Sequence, residues 1–395
     1  MSTFIPRQIS AVIKAQQSKF PVLALTGPRQ SGKTTLLQEL FDDYRYVSLE
    51  NPNTRLFATE DPVGFLNQYN QKIIFDEVQR VPELFSYIQG RVDASKMMGQ
   101  FILSGSQNFH LLSSITQTLA GRVALFKLLP LDFTELKNNN LLQNTYTEAS
   151  LKGFYPAIFD RDIDPVVFYA NYVQTYIEKD VTELINIRDL KQFRTFLSLC
   201  AGRAGQLLNV SALANECDIA HNTAKAWLSI LESSYIIFLL QPYHQNFNKR
   251  LIKSPKLYFY DTGLLNYLLE IKTVDELVEN RLKGQIFENM IVSEFEKKNH
   301  HLYQHQDYYF WQDSNGHEVD LLMKKNQEFA VFEIKATQTV SSSLFKEMDR
   351  FEEIAAPARV NKTLIYGGGE DELRTKYNVI SWRNIAAGST TGFIK

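Results

Sequence analysis

Five short apolar runs, Val22–Leu25, Tyr46–Leu49, Ile73–Phe75, Phe101–Leu103 and Val123–Leu128, are separated by amphipathic segments of helical length. Runs this apolar predict strands buried on both faces, and their alternation with helices predicts an α/β unit with a mainly parallel sheet. Further along, Leu208–Ala214 and His221–Leu228 predict two helices joined by a turn at Cys217–Ala220. Ser211 is the expected cap of the first, and Leu213, Ile219, Ala224, Leu228 and Leu231 stand at core spacing. Tyr235–Leu240 reads as a buried strand, and Glu318–Leu322 and Val331–Lys335 read as two more. The expected organisation is three domains, at about 1–150, 151–274 and 275–395.

A length of 395 residues exceeds one ordinary core and agrees with that division. A formal net charge of -2 excludes a global field toward nucleic acid or anionic membrane, so any such contact must come from local patches. Two cysteines, Cys200 and Cys217, are too few for a disulfide framework and suggest a reducing compartment. The longest strongly apolar run, Tyr235–Leu240, is too short to span a bilayer, and the first twenty residues lack a signal pattern. A soluble, cytoplasmic protein without membrane contact is expected.

Candidate chemistry begins right after the first strand. Gly27-Pro28-Arg29-Gln30-Ser31-Gly32-Lys33-Thr34, with Thr35 following, fits the phosphate-loop pattern between a strand and a helix. Glycines there let backbone N–H groups close around phosphates, Lys33 reaches the β and γ oxygens of ATP, and the Thr34 hydroxyl ligates Mg²⁺. Ligand groups in such sheets gather at the carboxyl ends of strands, and Lys72–Phe75 ends in Asp76 and Glu77. Asp76 is expected in the Mg²⁺ shell and Glu77 as the group that polarises the attacking water. Phe101–Leu103 runs into Ser104, Gly105, Ser106, Gln107 and Asn108, where Ser104 or Ser106 would contact the γ-phosphate; an ordinary polar turn is the alternative. Arg122 stands before the last strand of this unit. It reads either as an arginine that reaches a neighbouring subunit's nucleotide in a homo-oligomer, or as a cation facing a helix end.

With these motifs in hand, the chain resembles the AAA-type ATPases of bacteria and archaea that carry a C-terminal domain of unknown function. The resemblance rests on the phosphate loop, Asp76-Glu77-Val78-Gln79-Arg80, Ser104-Gly105-Ser106, Leu119-Ala120-Gly121-Arg122, Tyr176-Ile177-Glu178-Lys179-Asp180, Tyr260-Asp261-Thr262-Gly263-Leu264 and Gly284-Gln285-Ile286-Phe287-Glu288. It covers nearly the whole chain and implies an ATPase without implying a pathway.

The helix pair, the strand after it and the acid-free stretch Gln241–Tyr260 read together as a winged helix. Lys249, Arg250, Lys253 and Lys256 interleave there with Tyr243, Phe247, Tyr258 and Tyr260, a composition suited to nucleic acid. Winged helices also serve as protein-contact modules. Arg203 could reach the nucleotide or be a surface cation. In the last domain, Glu288 on a helix, Asp320 on a strand and Glu333-x-Lys335 on the next strand look like a PD-(D/E)xK nuclease core that could hold Mg²⁺. His300, His301, His305 and His317 read as solvated loop residues, and Gly367-Gly368-Gly369 as a turn. The function expected is a Mg²⁺-dependent ATPase acting on branched or duplex DNA. Its alternatives are a nucleotide-switched protein-interaction module and an ATP-regulated DNA nuclease.

Overall fold

In a computed structural model of the chain, residues 4–106, 118–181, 189–243 and 253–387 are described. Five strands, β1 (Val22–Thr26), β2 (Arg45–Ser48), β3 (Ile73–Asp76), β4 (Phe101–Gly105) and β5 (Val123–Lys127), form one sheet in the order β2-β3-β4-β1-β5. Every pairing in it is parallel. β1, β3 and β4 are buried at every residue, which is why they appear as unbroken apolar runs. Alternate side chains feed two cores. Ala24, Phe75 and Phe101 meet the helix Leu84–Ser95, whereas Leu25, Ile74 and Ile102 meet the helices Ile9–Gln17 and Lys33–Leu40. Each of the five expected strands is present within two residues of its expected ends.

The second sheet comprises β6 (Ile237–Pro242), β7 (Lys256–Phe259), β8 (Tyr308–Gln312), β9 (Glu318–Lys325), β10 (Glu328–Lys335), β11 (Arg359–Tyr366), β12 (Glu372–Leu373) and β13 (Asn378–Ser381). Their order is β12-β13-β11-β10-β9-β8-β6-β7, with parallel and antiparallel pairs mixed. The long helix Lys283–His301 covers one face through Phe287, Ile291 and Phe295, and the helix Lys346–Ala355 covers the other through Met348 and Phe351.

Two expected borders fall inside packed units. The β6–β7 hairpin, expected as the wing of a winged helix in the middle domain, joins the C-terminal sheet by parallel pairing of Gln241 with Tyr309 and Pro242 with Phe310. A lone hairpin buries too little to stand by itself, and the sheet edge supplies what it lacks. Likewise Leu131, Phe133, Leu136 and Tyr146 share a core with the long helix, so the segment near 131–150 packs with the C-terminal residues.

The helix pair Val210–Glu216 and His221–Ser233 lies where expected, with Leu213, Ala224, Leu228 and Leu231 buried. Its first helix is capped by Asn209 rather than Ser211. Asn209 has extended backbone and its side chain accepts from the Ala212 N–H at 3.0 Å, while Ser211 already lies inside the helix. Tyr243, Tyr258 and Tyr260 are buried at 7%, 0% and 5% exposure and are core residues, not a stacking surface. Lys249, Arg250 and Phe247, like Gln107 and Asn108, lie outside the described residues. Cys200 and Cys217 are free thiols, both buried. Among the described residues no helix is long and apolar enough to cross a membrane.

Candidate nucleotide site and acid cluster

β1 ends at Thr26 and the helix Lys33–Leu40 begins at Lys33, leaving Gly27–Gly32 as the loop between them. Gly27 has φ +148°, and a Cβ built there would lie 2.1 Å from the Leu128 carbonyl oxygen, so only glycine fits. Gly32 caps the helix at φ +92°. Lys33 folds back into the loop and donates to the carbonyls of Gly27 at 2.9 Å and Pro28 at 2.8 Å. Burial pushes its pKa down to about 8, against the pull of Glu77 and Asp76, and Arg29 lowers it further. Thr34 donates to Asp76 Oδ2 at 2.8 Å, and the Tyr46 hydroxyl donates to the same oxygen at 2.6 Å.

Glu77 sits in the left-handed region at φ +53°, a strained backbone for a carboxylate residue. Its Oε2 accepts from the Gln79 side-chain amide and from Ser106 Oγ, the latter at 3.2 Å. Ser104 Oγ and Ser31 Oγ are buried without a hydrogen-bond partner among the described residues. Ser104, within β4, and Ser106, just after it, thus differ: Ser106 holds Glu77, and Ser104 has no partner among the described residues. A cavity of about 460 Å³ opens over this floor, lined by Arg29, Gln30, Lys33, Thr34, Thr35 and Glu77 from the first unit. Its far wall comes from Pro156, Ala157, Asp160 and Arg161, on and beside the helix Pro156–Asp160.

Under the loop lies a buried polar network that sequence reasoning missed. Arg7, 6% exposed, donates to the Ser31 carbonyl at 2.7 Å and the Leu129 carbonyl at 2.6 Å, and its Nε lies 3.0 Å from Glu135 Oε2. Glu135 and Asp132 form a capping box, and Asp132 Oδ2 meets His301 Nδ1 at 2.8 Å. His301 is therefore fully buried, contrary to the solvated loop position expected of it. Burial alone would raise the Asp132 pKa, but the His301 contact outweighs it and holds that carboxyl below its usual value.

The expected nuclease residues also come together, with additional members. Glu288, Glu318 and Asp320 offer carboxylate oxygens within 4.8 Å of one another. Lys335 Nζ lies 3.0 Å from Asp320 Oδ2 and 2.6 Å from Glu333 Oε1. Lys256, expected to face nucleic acid, is instead 3% exposed and donates to Glu288 Oε1 at 3.1 Å and to Glu318 Oε1. These carboxylates already hold two ammonium groups of the chain itself, so the set does not fit a divalent ion as it stands.

Three family models match successive stretches: an AAA domain over residues 19–137, a domain of unknown function (DUF8612) over 143–275 and a domain of unknown function (DUF4143) over 283–385. The uncharacterized proteins Rv2008c of Mycobacterium tuberculosis and Mb2031c of Mycobacterium bovis are each 30% identical over 343 residues, covering 85% of this chain and 75% of the relative. The chain belongs to their family, the P-loop ATPases of AAA type. The uncharacterized protein MJ1637 of Methanocaldococcus jannaschii is 23% identical over 430 residues, covering 93% of this chain and 85% of that relative. Among solved structures, the Walker-type ATPase PABY2304 of Pyrococcus abyssi is similar at a TM-score of 0.44 and 15% identity, covering 67% of this chain and 96% of that one. AMPPCP-bound DnaA from Aquifex aeolicus is similar at a TM-score of 0.28 and 17% identity, covering 57% and 85%.

In this AAA-type ATPase, Arg122 does not reach its own chain's cavity. It immediately precedes β5, whose first residue pairs with Val22, so it lies at the opposite end of the strands from the phosphate loop. Its guanidinium forms a two-point pair with Asp93, at 2.5 and 2.9 Å. Arg203 is likewise elsewhere: it pairs with Glu216 and the Leu199 carbonyl and is not among the residues lining the cavity. Arg161, a residue that no local motif marks, supplies the cation on the far wall.

Proposed function

We propose that this AAA-type ATPase is Mg²⁺-dependent, that Arg122 of a second copy completes its active site, and that its turnover does work on DNA. The observation supporting hydrolysis is the convergence of Lys33, Thr34 and Glu77 on one cavity, with Asp76 hydrogen-bonded to Thr34. Thr34 and Asp76, whose oxygens already meet at 2.8 Å, would hold Mg²⁺, which supplies positive charge against the phosphates. Lys33 binds the β and γ oxygens in exchange for its two loop carbonyls. Glu77, positioned by Gln79 and Ser106, takes a proton from the water that attacks the γ-phosphorus as its bond to the ADP oxygen breaks. Arg122 must leave Asp93 to act in trans, an exposed pair that costs little to open.

The DNA reading draws on the exposed face of the helix His221–Ser233, where His221, Asn222, Lys225 and Ser229 project without a carboxylate among them. That face suits a groove and the phosphates beside it. A second reading, a nucleotide-switched protein-interaction module, is favoured by the burial of Tyr243, Tyr258 and Tyr260 and by the internal pairing of Lys256, which remove these four from the groups expected to touch DNA.

One experiment separates the readings: ATP turnover of wild type, Arg122→Ala and Asn222→Ala/Lys225→Ala with a panel of DNA and RNA structures. The expected result is stimulation by one DNA form, loss of that response in the double variant, and a fall of roughly 10³-fold or more in Arg122→Ala with nucleotide affinity retained. Turnover indifferent to every nucleic acid would transfer the conclusion to the protein-interaction reading. Wild-type turnover in Arg122→Ala would remove the trans arginine.

A further inference from the structure

The acid cluster stands apart from the nucleotide site and concerns other residues. It gathers Glu288 from the long helix, Glu318 and Asp320 from β9 and Glu333 from β10. A family likeness to nucleases would make it a place for a divalent ion. Each carboxylate is already engaged, however. Glu288 Oε1 accepts from Lys256 at 3.1 Å and from the Tyr258 hydroxyl at 2.6 Å. Glu318 Oε1 accepts from Lys256. Asp320 Oδ2 accepts from Lys335 at 3.0 Å and from the Ile334 N–H at 2.8 Å.

We propose that Lys256 is the resident cation of this cluster: its ammonium takes the position among Glu288, Glu318 and Asp320 that a divalent ion would otherwise occupy, so the native chain binds no metal there. A divalent ion needs several oxygen ligands, and here one oxygen of each of Glu288, Glu318 and Asp320 already accepts from an ammonium, a hydroxyl or an amide of the chain itself. Lys256 cannot swing out as a surface lysine does, because β7 is buried at every residue and Phe259 exchanges two hydrogen bonds with the Asn289 side chain, at 2.8 and 2.9 Å.

Lys256 remains an ammonium in these surroundings. Burial raises the Glu288 pKa to about 7 against the pull of Lys256, and burial with Asp320 nearby raises Glu333 to about 8. Burial alone would lower Lys256, but Glu288, Glu318 and Asp320 outweigh it and keep the group charged. The cluster then serves as a junction that fixes the β6–β7 hairpin to the long helix and to β9.

Mn²⁺ titrated into the full chain without nucleotide, with bound ion counted by electron paramagnetic resonance, tests this. Wild type and Asp320→Asn should be indistinguishable up to about 1 mM free ion, the range of weak oxygen-ligand sites. Lys256→Met should gain one ion per chain bound at least about tenfold more tightly, and Lys256→Met/Asp320→Asn should lose it. Any metal retained by the phosphate loop is common to all four proteins and subtracts out. An ion bound by wild type and absent in Asp320→Asn overturns the proposal, as does a folded Lys256→Met that gains none. If circular dichroism shows Lys256→Met unfolded, the comparison of wild type with Asp320→Asn decides alone.

Discussion

Lys33 and Lys256 are both buried ammonium groups, at 6% and 3% exposure, yet their surroundings drive them in opposite directions. Lys33 donates only to loop carbonyls and its pKa drops to about 8, which is an ion pair awaiting its anion. Lys256 has its carboxylates within reach and its pKa rises. A pH dependence belongs at this scale. Glu333 in the folded chain titrates near 8, above the ordinary 4.5, so between those values the folded state holds a proton that the unfolded state has lost. Stability therefore falls as pH rises through that window. Urea midpoints measured from pH 5 to pH 8 should decline for wild type and decline less for Glu333→Gln; equal slopes would contradict the assignment. Sequence revealed Glu333, Asp320 and Lys335 because they sit on neighbouring strands with a recognisable spacing. It concealed Lys256, since a lysine between Pro255 and Leu257 looks the same whether its strand faces solvent or is buried on both sides.

The phosphate loop joins an element legible in sequence to a close approach that was not. The strand, the glycines and the Lys-Thr pair could be read directly, as could the Asp-Glu at the end of β3, because each depends on residues a few positions apart. The nearness of the Leu128 carbonyl to Gly27 depends on β1 lying beside β5. Gly27→Ala must push a Cβ into a backbone oxygen, and a loss of roughly 1–3 kcal/mol in stability is expected from the strain. Nucleotide affinity should fall at least about tenfold, since the loop can no longer close; thermal unfolding and a fluorescent nucleotide titration measure the two effects. Unchanged affinity would mean that β5 yields to the methyl group. The β6–β7 hairpin illustrates the opposite case. Its strands were visible, but their attachment to β8 rests on two residue pairs distant in sequence, which no local pattern encodes.

The long helix Lys283–His301 ties the molecule together. At about 1.5 Å per residue its nineteen residues span about 28 Å, with Glu288 at the acid cluster and His301 under the phosphate loop. Arg7 completes the connection by holding the Ser31 carbonyl and Glu135 at once. Arg7→Met leaves Glu135 buried without its cation and should cost about 3–5 kcal/mol, whereas Arg7→Met/Glu135→Leu should recover much of that loss. Denaturant unfolding of the four members of the cycle provides the comparison, and additive costs would show the pair to be uncoupled.

The joining of β6 to β8 has a consequence for how the chain is made. The five strands of the first sheet all precede Leu128 in the sequence and can close on one another early in synthesis. Phe133, by contrast, donates its N–H to Glu294, and Gln241 pairs with Tyr309, so segments translated early are completed only by residues translated much later. Pairing over such separations is slow and leaves apolar edges uncovered meanwhile. The stretches matched by family models therefore do not mature one by one: the first contains Phe133, whose partner Glu294 belongs to the last.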